Sequence, residues 1–144
     1  MVKEKIVIGM VACLVLLWAI VWPRLQMLRM LSADGESLGA IQDLRASVQQ
    51  YIKEHGKPPA DLSEIALPEL KLYCYDSDEN LKVHRHGLIT KVELRPGGEL
   101  EGFSASTFTY NGDEGKWLYD PQTGAVVLGC SGVDTKLRRP WYTH

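Results

Sequence analysis

Seventeen consecutive residues without a charge, Ile6 to Trp22, constrain this chain more than any other stretch. Nearly all are apolar. At about 1.5 Å per residue they cover roughly 26 Å as a helix, enough to cross a thin hydrocarbon core. Pro23 closes the run, and an amphipathic helical pattern follows to Gly56. A greasy span joined end to end with a surface helix, ahead of a strand-rich part, describes a membrane-anchored protein rather than a free enzyme.

Three ways of using such a span leave different marks. A cleaved secretory signal would take Lys3 and Lys5 as its basic start and then need a small-x-small site. Trp22-Pro23-Arg24-Leu25-Gln26 supplies none. A lipoprotein would use Met10-Val11-Ala12-Cys13, but the chain stays apolar after Cys13 where a polar tether belongs. A retained anchor is therefore expected, with residues 1–31 as the anchor and 32–144 as the domain it carries. Lys3 and Lys5 favour a cytoplasmic N-terminus, against the counterweight of Arg24 and Arg29 beyond the span. Gly9, Ala12 and Ala19 are small enough to let neighbouring backbones approach within a membrane.

Beyond the anchor, Leu38, Ile41, Leu44, Val48, Tyr51 and Ile52 recur three and four apart, with Gln42, Asp43, Gln49, Lys53 and Glu54 mostly off that stripe. His55-Gly56 suits a helix end, and Pro58-Pro59 forbids continuation. Ser32-Ala33-Asp34-Gly35 is either a break with a new cap or a weak point in one continuous helix. Asp61 to Ile65 reads as a short helical turn. Strand signals follow: Leu70, Leu72 and Cys74 alternating with Lys71, Tyr73 and Tyr75, then Leu81 to Leu94, then Phe103 to Tyr110. Lys116 to Tyr119 and Ala125 to Leu128 flank the turn Asp120-Pro121-Gln122-Thr123-Gly124. Short turns between successive strands imply an antiparallel sheet. The fold class expected is α+β, one long N-terminal helix packed on that sheet.

Chemistry-bearing residues are few. A net charge of -2 gives no basic field for nucleic acid, and the short basic clusters Lys82 to Arg85 and Lys136 to Arg139 read as solvated surface. Cys13 lies in the span as a small packing residue. Cys74 and Cys130 fall in the strand-rich part. Outside the cytoplasm they are expected to pair, closing a ring of about 57 residues worth about 4 kcal/mol; in a reducing compartment they are two buried thiols. Neither lies in a CxxC or beside a base along the chain, so no catalytic or zinc role is expected. His84 and His86 share a strand face but lack an evident third ligand, and read as surface residues. His144 reads as disordered. Asp76-Ser77-Asp78-Glu79-Asn80 opens like a calcium loop, but Leu81 stands where the turn glycine belongs and no glutamate closes it. No nucleophile-base motif or phosphate loop is present, so no enzymatic activity and no cofactor are expected.

Three segments together resemble the type IV pilin and type II secretion pseudopilin superfamily. They are Ile20-Val21-Trp22-Pro23-Arg24-Leu25-Gln26 at the end of the span, Leu44 to Leu62 with its ordered tyrosine, glycine, prolines and leucine, and Trp117-Leu118-Tyr119-Asp120-Pro121-Gln122-Thr123-Gly124-Ala125-Val126. The resemblance implies a single-pass inner-membrane protein with a periplasmic domain. It implies membrane lipid and other pilin-like subunits or secretion-system membrane proteins as partners, and no nucleic acid. Anchoring and assembly would fall to Ile6, Gly9, Ala12, Leu16, Ala19 and Trp22, with Pro23 as a kink. Some pseudopilins bind calcium in a loop of the sheet domain, which leaves calcium as a minor expectation here. The family's Gly-Phe cleavage signal and intramembrane glutamate have no counterpart: Gly9 precedes Met10, and Glu4 lies before the span. A membrane-tethered module that reuses the fold without polymerising is the alternative.

Overall fold

A computed structural model describes residues 2–74, 84–100 and 109–144, with side chains from Leu14 onward except that of His84. The first element is helix α1, Val2–His55. It runs unbroken through Ser32-Ala33-Asp34-Gly35, so of the two sequence readings the continuous helix holds and neither Ser32 nor Asp34 caps a new one. It also runs through Pro23, whose ring removes the N–H that would bond the Ala19 carbonyl one turn back. The helix ends at Gly56, whose N–H bonds the Ile52 carbonyl at 2.8 Å with φ of 73°.

Two compact units divide the chain, Met1–Ser32 and Ala33–His144. In the first, the described apolar side chains from Leu14 to Leu28 are exposed, and α1 is long and apolar enough to cross a membrane. Trp18 and Trp22, one turn apart, stack at 5.1 Å.

The described residues of the second unit form five short strands. Strands β1 (Leu72–Cys74) and β2 (His84–His86) pair antiparallel, with Leu72 opposite His86 and Cys74 opposite His84. Strands β3 (Val92–Leu94), β4 (Lys116–Tyr119) and β5 (Val126–Gly129) form a second sheet in that order. β4 and β5 are the antiparallel hairpin expected around Asp120–Gly124. β3, however, runs parallel to β4, with Val92 opposite Trp117 and Leu94 opposite Tyr119. The uniformly antiparallel sheet is thus corrected to a mixed one. The chain between Leu94 and Lys116 is long enough for the crossover that a parallel neighbour requires. The expected strand Phe103 to Tyr110 lies largely outside the described residues, and Thr109 and Tyr110 are not in a strand.

The helix stripe meets the sheet as its spacing predicts. Ile41, Leu44 and Val48 are buried with Trp117, Tyr119, Val126 and Leu128, while Leu38 and Ile52 pack at the margin. Trp117 pairs across from Leu128 and Tyr119 from Val126, so these four share the face toward α1. The opposite face is covered as well: Leu118 and Val127 are buried with Leu100 and Tyr110. Burial on both faces explains why Trp117-Leu118-Tyr119 and Val126-Val127-Leu128 are apolar without alternation.

Polar ties fix this packing. Arg45 donates from Nε and Nη2 to the Val126 carbonyl at 3.1 and 2.8 Å, and burial pulls its pKa down to about 10. The Tyr119 hydroxyl donates to the Pro59 carbonyl at 2.8 Å; burial pushes that phenol up to about 12. Asp34 is fully buried in α1 and accepts from the Thr135 N–H at 2.7 Å and from the Thr135 hydroxyl. His144, expected to be disordered, instead sets Nε2 2.9 Å from buried Asp134.

Candidate functional site

Strand alternation and register bring together what the sequence kept apart. Leu72 and Cys74 point to one face of β1 and are buried. His86 lies on β2 opposite Leu72, so its ring shares that face, one pair along from Cys74. Cys130 directly follows β5 and is fully buried. The Sγ atoms of Cys74 and Cys130 lie 3.0 Å apart as free thiols. The disulfide expected outside the cytoplasm is not formed in this structure, although the two cysteines are indeed neighbours.

Around Cys130 the arrangement tightens. His86 Nε2 is 3.4 Å from Cys130 Sγ. Asp113 Oδ1 is 3.4 Å from the same sulfur and 3.3 Å from His86 Nε2. The Cys74, Cys130 and His86 ligand atoms all lie within 4.8 Å of one another. The His86 side chain is only 12% exposed, which corrects its reading as a surface residue, whereas Asp113 is 48% exposed and forms the open side. A base does stand beside Cys130, contrary to the reading from linear spacing.

The surroundings are shaped to hold this geometry. The Asp113 connection is tied to the end of β5 and the residues beyond it: Ser131 N–H bonds the Gly112 carbonyl and Gly115 N–H bonds the Gly129 carbonyl, each at 3.0 Å. A Cβ on Gly115 would sit 2.4 Å from His86 Cγ and Nδ1, and Gly115 has φ of 56°, so only glycine lets the ring settle there. Trp141 Nε1 donates to the Tyr73 carbonyl at 3.1 Å and Tyr142 N–H to the Cys130 carbonyl at 3.2 Å, joining β1 to the chain beyond β5.

The electrostatics follow from burial and contact. The Cys130 thiol is pushed up, first by its hydrogen bond with Cys74 and then by burial. The hydrogen bond with Cys130 raises the His86 imidazole above its ordinary value, against burial, and Asp113 adds to the rise. Two sulfurs, an imidazole nitrogen and a carboxylate oxygen thus converge from four separate points of the chain. The one signal in the sequence was the alternation of Leu72 with Cys74 and of His84 with His86; which residues of the two pairs would meet depended on register.

The other expected site residues lie in the first unit. Leu16, Ala19, Trp22 and Pro23 are exposed on α1. Ile6, Gly9 and Ala12 fall on the helix, but their side chains lie outside the described residues, as does Cys13. The acidic run Asp76 to Asn80, the one loop weighed for calcium, is also outside them. His55 is exposed at the helix end, its Nδ1 3.0 Å from the Tyr51 carbonyl and its ring stacked on Tyr51. No protein-family model, curated protein or solved structure matches this chain.

Proposed function

We infer that this chain is a pilin-like subunit, anchored in the inner membrane by the first part of α1 and assembling through it in a secretion or pilus system. The observation that carries the reading is the division of labour within α1. Its described residues from Leu14 to Leu28 offer an apolar surface with nothing packed on it, while Ile41, Leu44 and Val48 are buried against the strands. A helix that needs lipid or other helices at one end and a sheet at the other is what a membrane-assembled filament subunit uses. Lys3 and Lys5 then stay on the cytoplasmic side and the strand-bearing unit is periplasmic. Trp18 and Trp22, just ahead of Arg24, suit the headgroup level at the far interface. The role is mechanical, with membrane lipid and like subunits as partners.

The span Ile6 to Trp22 contains no acidic residue to pair with a neighbouring subunit, which favours a second reading: a tethered periplasmic module that binds or regulates without polymerising. Crosslinking in cells separates the two. Leu16→Cys, paired with cysteines one or two turns away in a Cys13→Ala background, is expected to give a ladder of multimers that depends on the secretion machinery. Monomers alone, from protein confirmed in the membrane, would sink the filament reading and leave the tethered module.

A further inference from the structure

We propose that Cys74, Cys130 and His86, with Asp113 as fourth ligand, form a binding site for a thiophilic divalent cation, Zn²⁺ foremost. The donor set is the first argument. Two sulfurs and one imidazole are a recognised zinc set that leaves a fourth tetrahedral position, which the Asp113 carboxylate can take. A pair of cysteines meeting by packing alone has no use for His86 and Asp113 at the same sulfur.

Distances are the second. Bond lengths of 2.0–2.3 Å at a tetrahedral zinc place ligand atoms about 3.6 Å apart for sulfur and nitrogen, about 3.5 Å for sulfur and oxygen, and about 3.3 Å for nitrogen and oxygen. The corresponding separations here are 3.4 Å for Cys130 and His86, 3.4 Å for Cys130 and Asp113, and 3.3 Å for His86 and Asp113. Three of the six edges of the tetrahedron are already in place. The edge between the sulfurs is 3.0 Å and must open to about 3.8 Å. Cys74 Sγ lies within 4.8 Å of the His86 nitrogen, and Cys74 is the ligand that adjusts when the ion arrives.

The third argument is support. Gly115 is shaped around the His86 ring, and backbone hydrogen bonds fasten the Asp113 connection to Gly129 and Ser131, on either side of Cys130. Ligands fixed from outside in this way lose little freedom when an ion arrives. Binding converts both thiols to thiolates and releases their two protons to solvent, leaving a site with two sulfur charges and one carboxylate charge around the dication. The ion would pin β1, β2, the Asp113 connection and the end of β5 to one another.

The site does not depend on whether the chain polymerises, but it needs both thiols reduced, and in the periplasm it competes with a Cys74–Cys130 disulfide. The test is a titration of the reduced full-length protein in detergent with Co²⁺, which reports thiolate ligation by colour. The expected result is one Co²⁺ per chain, with thiolate-to-cobalt charge-transfer absorption and intensified tetrahedral ligand-field bands, all displaced by Zn²⁺. Cys130→Ser is expected to abolish the charge transfer. Losing even an outer-shell partner weakens metal sites by about 10–100-fold, so His86→Gln is expected to cost at least that. His86→Gln removes no sulfur and no buried apolar group, which keeps the comparison valid if the cysteine variant fails to fold. Two results would overturn the proposal. One is a reduced chain, folded by circular dichroism, that shows no thiolate-cobalt band and simply closes a Cys74–Cys130 disulfide in air. The other is Co²⁺ affinity unchanged in His86→Gln.

Discussion

Asp134 shows how one carboxylate organises the last stretch of the chain. It is fully buried and accepts from the backbone N–H of Lys136 at 2.7 Å, of Arg139 at 2.9 Å and of Leu137, with His144 beside it. Burial pushes its pKa up, but these donors together outweigh burial and hold it below the usual carboxylate value. The sign of the pH effect follows. A folded-state pKa lower than the unfolded one means the ionised form favours folding, so the contribution is complete above about pH 4 and is lost as pH falls through the folded value. Asp134→Asn is expected to cost about 1.5–3 kcal/mol at pH 7, the scale of hydrogen bonds to a charged group. The gap from the parent protein should shrink when unfolding is repeated near pH 3. A gap independent of pH would mean that the carboxylate charge is not what the donors hold. Asp34 behaves oppositely: burial raises its pKa, so its ionisation weighs against folding.

Among the elements, the second half of α1 was the most legible. Its stripe from Leu38 to Ile52 follows a period that only a helix with one buried face produces, and Gly56 with Pro58-Pro59 marks its end. The β4–β5 hairpin was also readable, because Asp120 to Gly124 is turn chemistry between two apolar runs. Asp120 fulfils it, accepting the Gln122 N–H at 2.8 Å while Gly124 N–H bonds its carbonyl at 2.8 Å. β3 was read as a strand but given the wrong direction, since nothing in Val92 to Leu94 says which neighbour a long connection will deliver. The approach of His86 and Asp113 to Cys130 was missed for the same reason. A hairpin brings residues together by local rules, whereas His86 reaches Cys130 only through the packing of two sheets. Close approach of α1 to the hairpin gives a test at this scale. A Cβ on Gly124, at φ of 78°, would lie 2.9 Å from Ile52 Cδ1 and 3.2 Å from Val48 Cγ1. Gly124→Ala is expected to lower stability by about 1–3 kcal/mol, seen as a lower urea midpoint with unchanged slope.

At the scale of the whole molecule, the two units differ in what their apolar side chains meet. Those described between Leu14 and Leu28 are exposed, on a helix long and apolar enough to cross a membrane, whereas Ile41, Leu44 and Val48 of the second unit are buried among the strands. A charge between Leu14 and Leu28 is the direct probe. Leu17→Lys carries about 2.5–3.5 kcal/mol of insertion cost near the centre of a span. It is expected to move a large share of the protein from the alkali-resistant membrane fraction to the extractable one. Full retention in the membrane would place the span elsewhere on the helix.

The Arg45 hydrogen bond to the Val126 carbonyl joins residues 81 apart, and the Asp34 bond to Thr135 joins residues 101 apart. A ribosome adding about 5–20 residues per second needs roughly 4–16 s between Arg45 and Val126. During that interval Ile41, Leu44 and Val48 have been made and their partners on β5 have not. The anchor can enter the membrane while the stripe behind it is still uncovered. Under the anchoring proposed above, insertion would come first and folding second, with an apolar helix stripe that a holdase or the bilayer surface would shelter in between.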